Sequence, residues 1–132
     1  RRGQVAAAAL LWALAGADKD VKGIERARIL RSLQADFGVG EAEARGLLEE
    51  AKEQRASLPR LAAIVREQLT LEERKLLVTA LWKLAQVDGR VDANEEALVS
   101  SFTALLGVGA RADAEAQAAA RDSRTVLWEE DD

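Results

Sequence analysis

Six acidic residues in two clusters are the side chains of this chain best suited to chemistry. Asp18, Asp20 and Glu25 belong to the stretch Ala17-Asp18-Lys19-Asp20-Val21-Lys22-Gly23-Ile24-Glu25. Asp88, Asp92 and Glu95 belong to Val87-Asp88-Gly89-Arg90-Val91-Asp92-Ala93-Asn94-Glu95. Closely spaced carboxylates suit a hard divalent cation, Ca²⁺ or Mg²⁺, which takes several oxygen ligands at about 2.0–2.6 Å. The spacing is not that of an EF-hand, whose last Glu falls at loop position 12. The same acids also suit purely local work. Asp88 can bond nearby backbone, Gly89 can take a left-handed turn, and Asp92 can cap the next helix with Glu95 reaching back. In the first cluster Lys22 cannot accept a capping bond, and Lys19 and Lys22 partly neutralise the acids. A cation site and a pair of capped turns are both consistent with these residues.

Other chemistries are excluded more firmly. The chain has no cysteine and no histidine, so it contains no disulfide, thiolate nucleophile, Cys/His zinc site or imidazole base. The acids have no accompanying nucleophile or oxyanion donor, and no enzymatic activity is expected. Gly38-Val39-Gly40 and Gly107-Val108-Gly109 lack the spacing and preceding strand of a phosphate loop and read as helix stops. Net charge is −4 with Lys and Arg dispersed, which argues against a nucleic-acid surface. Arg26, Arg28 and Arg31 read as a solvated helix face. The absence of cysteine fits a reducing compartment, and a cytoplasmic location is expected.

Nearly half the residues are hydrophobic, mostly Ala and Leu, with nine glycines and one proline, an all-α composition. The start of the chain, with two arginines, an apolar run and Ala15-Gly16-Ala17, has the form of a signal peptide. A similar run recurs in mid-chain, so it is read as a buried helix over about Gly3 to Gly16. The run from Val5 to Ala17 is also shorter than the ~20 residues a membrane span needs. The chain begins without Met and is read as a trimmed or excised piece.

Helical periodicity then predicts six more helices. They run from about Gly23 to Phe37, with Ile29, Leu30, Leu33 and Phe37 inward, and from Glu41 to Arg55, with Ala44, Leu47, Leu48 and Ala51 inward. A short one from Pro59 to Gln68 is capped by Ser57. The central one follows a Thr70–Glu73 capping box and extends to Val87. Its polar stripe is Glu72, Lys75, Thr79, Lys83 and Gln86, and Leu76, Leu77, Val78, Leu81, Trp82, Leu84 and Ala85 are apolar. The sixth runs to about Leu106 with Ala97, Leu98, Phe102 and Leu105 as its core face. The last runs from about Arg111 to Arg121. Residues 1–121 form one domain and 122–132 a polar tail. Trp12 and Trp82 are expected in the core.

The chain repeats itself. Leu11, Trp12, Leu14, Ala15, Asp18, Val21 and Glu25 match Leu81, Trp82, Leu84, Ala85, Asp88, Val91 and Glu95 at an offset of 70 residues. One residue is then lost, and Leu33 and Gly38-Val39-Gly40 match Phe102 and Gly107-Val108-Gly109. Two related helical-hairpin units are therefore expected, joined through the third and fourth helices.

The acidic turns following Ala/Leu-rich helices resemble those of the TerB (tellurite-resistance protein B) family, Ala-Asp-Gly-x-Val/Ile-Asp-x-x-Glu. The second copy departs only at Val87. The first keeps Ala17, Asp18, Val21 and Glu25 but has Lys19 in place of glycine and Lys22 in place of the capping Asp. The resemblance covers about residues 5 to 118. It implies a compact all-helical bacterial domain of about seven helices, without catalytic activity, that acts as an interaction or scaffold module in tellurite or stress response. It also implies a protein partner and a cation-binding acidic surface, with no direct membrane insertion.

Overall fold

The computed structural model describes residues 1–15, 23–85 and 93–130, with side chains throughout except at 23–25, 94–95 and 121–130. Among these run seven helices: α1 (Arg2–Leu14), α2 (Gly23–Phe37), α3 (Glu41–Lys52), α4 (Leu58–Gln68), α5 (Leu71–Ala85), α6 (Ala93–Leu106) and α7 (Ala110–Glu130). No strand occurs among the described residues, so the all-α reading stands.

The arrangement follows from the two most apolar helices. On α1, Val5 through Leu11 and Leu14 are buried, so protein surrounds it on most sides. On α5, Leu77, Val78, Ala80, Leu81, Trp82, Leu84 and Ala85 are buried. Each fully buried leucine contributes roughly 1.5–3 kcal/mol. Helix α1 touches every other helix except α7, and α5 touches every other helix except α3. Alanine on α1 lets its neighbours approach closely. At Gly3 a Cβ would stand 2.6 Å from Gln68 Cβ on α4.

The exchange of α3 for α7 extends the repeat by a helix. At the 69-residue offset, Ala44, Leu47 and Ala51 on α3 correspond to Asp113, Ala116 and Ala120 on α7. All three α3 residues are buried, as are Ala116 and Ala120. Each repeat is therefore three helices, α1–α2–α3 and α5–α6–α7, with α4 between them. The turns that close α2 and α6 also match. Gly38 and Gly107 have φ of 63° and 71°, the left-handed conformation that glycine adopts without steric cost.

Local signals place most helix starts where expected. Thr70 N–H donates to Glu73 Oε1 at 2.9 Å and Glu73 N–H donates to Thr70 Oγ1 at 3.1 Å, completing the capping box. Ser57 Oγ accepts from the Arg60 N–H at 3.3 Å.

The structure departs from expectation in four places. The buried face of α6 is Val99, Phe102, Thr103 and Leu106, whereas Ala97 is exposed, Leu98 half-buried and Leu105 37% exposed. A polar residue joins that face because the Thr103 hydroxyl can donate back to the Val99 carbonyl at 2.9 Å. Leu76 is 45% exposed, since it stands on the same water-facing stripe as Glu72, Thr79 and Lys83. Helix α3 ends at Lys52 instead of Arg55. Helix α7 continues to Glu130, with no glycine or proline after Ala110 to stop it.

Candidate functional site

Asp18, Asp20, Asp88 and Asp92 lie outside the described residues. Glu25 lies in α2 and Glu95 in α6, with only their backbones described. Among the described residues, no group of three or more acids is placed to hold a metal ion.

The helix ends that carry the acid-bearing segments are described, and they are neighbours. Leu11 near the end of α1, Arg28, Ile29 and Ser32 early in α2, and Ala80, Lys83 and Leu84 at the end of α5 line one small hollow. The last turns of α1 and α5 and the early part of α2 are therefore neighbours. Arg28, Ser32 and Asp36 follow one another at four-residue spacing on α2, a single helix face. Burial pushes the Asp36 carboxyl from the ordinary 3.8 up to about 6, and the nearby Lys83 ammonium pulls it partly back.

The three arginines expected as a solvated face are only partly so. Arg31 is exposed, while Arg28 is half-buried beside the hollow. Arg26 donates to Glu49 at 3.2 Å, tying α2 to α3. Lys52 also holds Glu49, at 3.1 Å, and the two cations keep that carboxyl below its usual range.

A second polar site sits where α6 turns into α7. Trp82 is 1% exposed, and its Nε1–H donates to Asp113 Oδ1 at 2.7 Å. The Thr103 hydroxyl is 3.1 Å from the same oxygen and 2.9 Å from the Val99 carbonyl, and its one proton serves one of them at a time. Asp113 also lies in the first turn of α7, where the helix dipole favours a carboxylate. Ser100, Thr103, Gly107, Gly109 and Asp113 line a half-open cleft of about 560 Å³ above this network. Periodicity alone does not reveal Asp113. The signal is the need of a buried indole N–H for a partner, combined with an acid at the position where the first repeat has Ala44.

The two tryptophans have parted company. Trp82 is fully enclosed, as expected of a core residue. Trp12 is half-buried, with Lys52 Nζ over its ring at 5.0 Å from the centroid, a cation–π contact.

These features define an all-α domain built from a duplicated three-helix unit, with paired acid-bearing connections after its two central helices. The family model for tellurite resistance protein TerB matches residues 4–118, and the chain belongs to that family. No curated protein and no solved structure gives a match. No helix among the described residues is long and apolar enough to cross a membrane.

Proposed function

We propose that this TerB-family domain is a non-enzymatic interaction module of the cytoplasm, acting in tellurite or stress response, with its two acid-bearing connections forming one docking end for a protein partner. One observation supports the reading: Leu11, Arg28, Lys83 and Leu84 line the same hollow, so the helices that lead into the two acidic stretches are neighbours. On this reading both acidic stretches face a single partner, and a basic surface is the complementary chemistry. The test is affinity capture with the wild-type domain, an Asp18→Asn/Asp88→Asn variant and a Glu43→Gln control on the exposed face of α3. Wild type and control should retain the same binding proteins, and the double variant should lose them. Equal capture by all three would refute the docking end.

The same adjacency supports a second reading, a divalent-cation site shared by Asp18, Asp20, Glu25, Asp88, Asp92 and Glu95. Ca²⁺ and Mg²⁺ require several converging oxygens, and two anchored segments can supply more than one. Amide NMR during separate Ca²⁺ and Mg²⁺ titrations distinguishes the two roles. Local shifts at residues 18–25 and 88–95 support ion binding, and silence at millimolar ion removes it.

A further inference from the structure

We propose that the groove beside Trp12 receives the segment Val126–Asp132 of a second copy of this chain, so that the domain self-associates in a concentration-dependent manner. This surface is separate from the acid-bearing end and rests on different residues.

The groove lies along α1, between the end of α3 and the start of α4. Trp12, Ala13, Ala56, Leu58 and Leu61 form its apolar surface, and its volume is about 320 Å³. Lys52 and Arg55 supply its charge, and no carboxylate is among the lining residues. Both cations are held in place. Lys52 Nζ sits over the Trp12 ring and pairs with Glu49, and the Arg55 guanidinium donates to the carbonyls of Lys52 and Gln54. A second hollow of about 360 Å³ shares Gln54 and continues toward Val5 and Ile64, where Arg1 is paired with Glu50 and Arg2 is the further cation. The fitting occupant is therefore a short segment with large apolar side chains followed by negative charge.

The chain contains such a segment. Val126-Leu127-Trp128 is followed directly by Glu129-Glu130-Asp131-Asp132. The backbone of α7 is helical to Glu130. Through Ala120, α7 packs on α5 and α6 and touches none of α1, α3 and α4, the helices that form the groove. We therefore seat the segment in the groove of another molecule.

Sedimentation velocity on the full chain, from micromolar to millimolar concentration, tests the proposal. Wild type should associate as concentration rises. Lys52→Glu/Arg55→Glu opposes an acidic groove to an acidic segment, and Glu129→Lys/Glu130→Lys opposes like charges of the other sign. Each variant alone should associate at least about tenfold more weakly than wild type. An equimolar mixture of the two should recover association, because each segment then meets a groove of opposite charge. All four substitutions are at charged positions, and circular dichroism with a thermal melt confirms folding. A wild type that stays monomeric at millimolar concentration, variants that associate as well as wild type, or a mixture that fails to recover would each overturn it. So would Trp12 indole NMR shifts that respond to Glu129→Lys/Glu130→Lys but not to concentration, since these would mark docking within one chain.

Discussion

Asp113→Ala should destabilise the domain by about 2–3 kcal/mol, well beyond the usual effect of trimming a half-exposed acid on an alanine-rich helix. The magnitude follows from what the carboxylate holds. Trp82 is 1% exposed, so its Nε1–H loses its one protein acceptor once Asp113 Oδ1, now 2.7 Å away, is gone. A buried donor left without a partner costs about 1–3 kcal/mol, with the upper half apt when the lost acceptor was charged. Thr103 adds little, because the Val99 carbonyl at 2.9 Å still accepts from it. Losing an acid from the first turn of α7 costs a further ~0.3–1 kcal/mol, and alanine's better helix propensity returns about half a kcal/mol. For a domain of this size the net loss lowers Tm by about 6–12 °C. Urea and thermal unfolding of wild type, Asp113→Ala and Asp113→Asn measure it, with the asparagine retaining an acceptor and losing less. In a Trp82→Phe background there is no indole donor to strand, so Asp113→Ala should then cost less than half as much. A cost below about 0.5 kcal/mol in wild type, or an unchanged cost in the Trp82→Phe background, would refute the assigned role.

Three further outcomes are expected. Because Asp36 holds its proton to about pH 6 in the fold against 3.8 ordinarily, the unfolded chain ionises first as pH rises. Stability should therefore fall across that interval and level off above it. Asp36→Asn should remove the slope and gain on the order of 1–2 kcal/mol at neutral pH, allowing for solvent screening at this half-buried site, as read by melts across pH 3 to 8. Thr70→Ala should cost about 1 kcal/mol by urea denaturation, and Thr70→Ala/Glu73→Ala less than twice that, since the two bonds form one box. Gly38→Ala and Gly107→Ala both force alanine to positive φ and should each cost about 1 kcal/mol or more. The two should cost alike, because the atoms nearest a Gly107 Cβ, at 3.1 Å, belong to the exposed and movable end of Arg66, while a Gly38 Cβ meets nothing within 4 Å.

Much of the fold was legible because its signals are local. The Thr70–Glu73 box, the Ser57 cap and the Gly-Val-Gly stops are each decided within a few residues, and α2 begins and ends where periodicity places it. The face of α6 was not legible, because Ala97, Leu98 and Leu105 are as apolar in composition as Val99 and Leu106. What selects between two stripes through Phe102 is the position of α5, a tertiary fact. The acidic clusters were legible as candidates by residue type, and Asp18, Asp20, Asp88 and Asp92 lie outside the described residues. Asp113 escaped notice because it sits alone on an alanine-rich helix, and its partner is 31 residues away.

The repeat explains why the two halves of this domain differ in what they can do. Equivalent positions on α3 and α7 carry Ala44 and Asp113, and equivalent positions on α1 and α5 carry Trp12 and Trp82. In the second half the acid satisfies the indole N–H, and the tryptophan can be buried completely with α7 locked against α5. In the first half Ala44 offers no acceptor. A tryptophan there gains by keeping its polar edge near solvent, and Trp12 is half-buried beneath Lys52. The Ala44/Asp113 difference between corresponding positions thus accompanies a closed half and a half with an open aromatic groove. Duplication supplies two copies of the scaffold, and the Ala44/Asp113 difference accompanies an enclosed Trp82 in one and a half-buried Trp12 in the other.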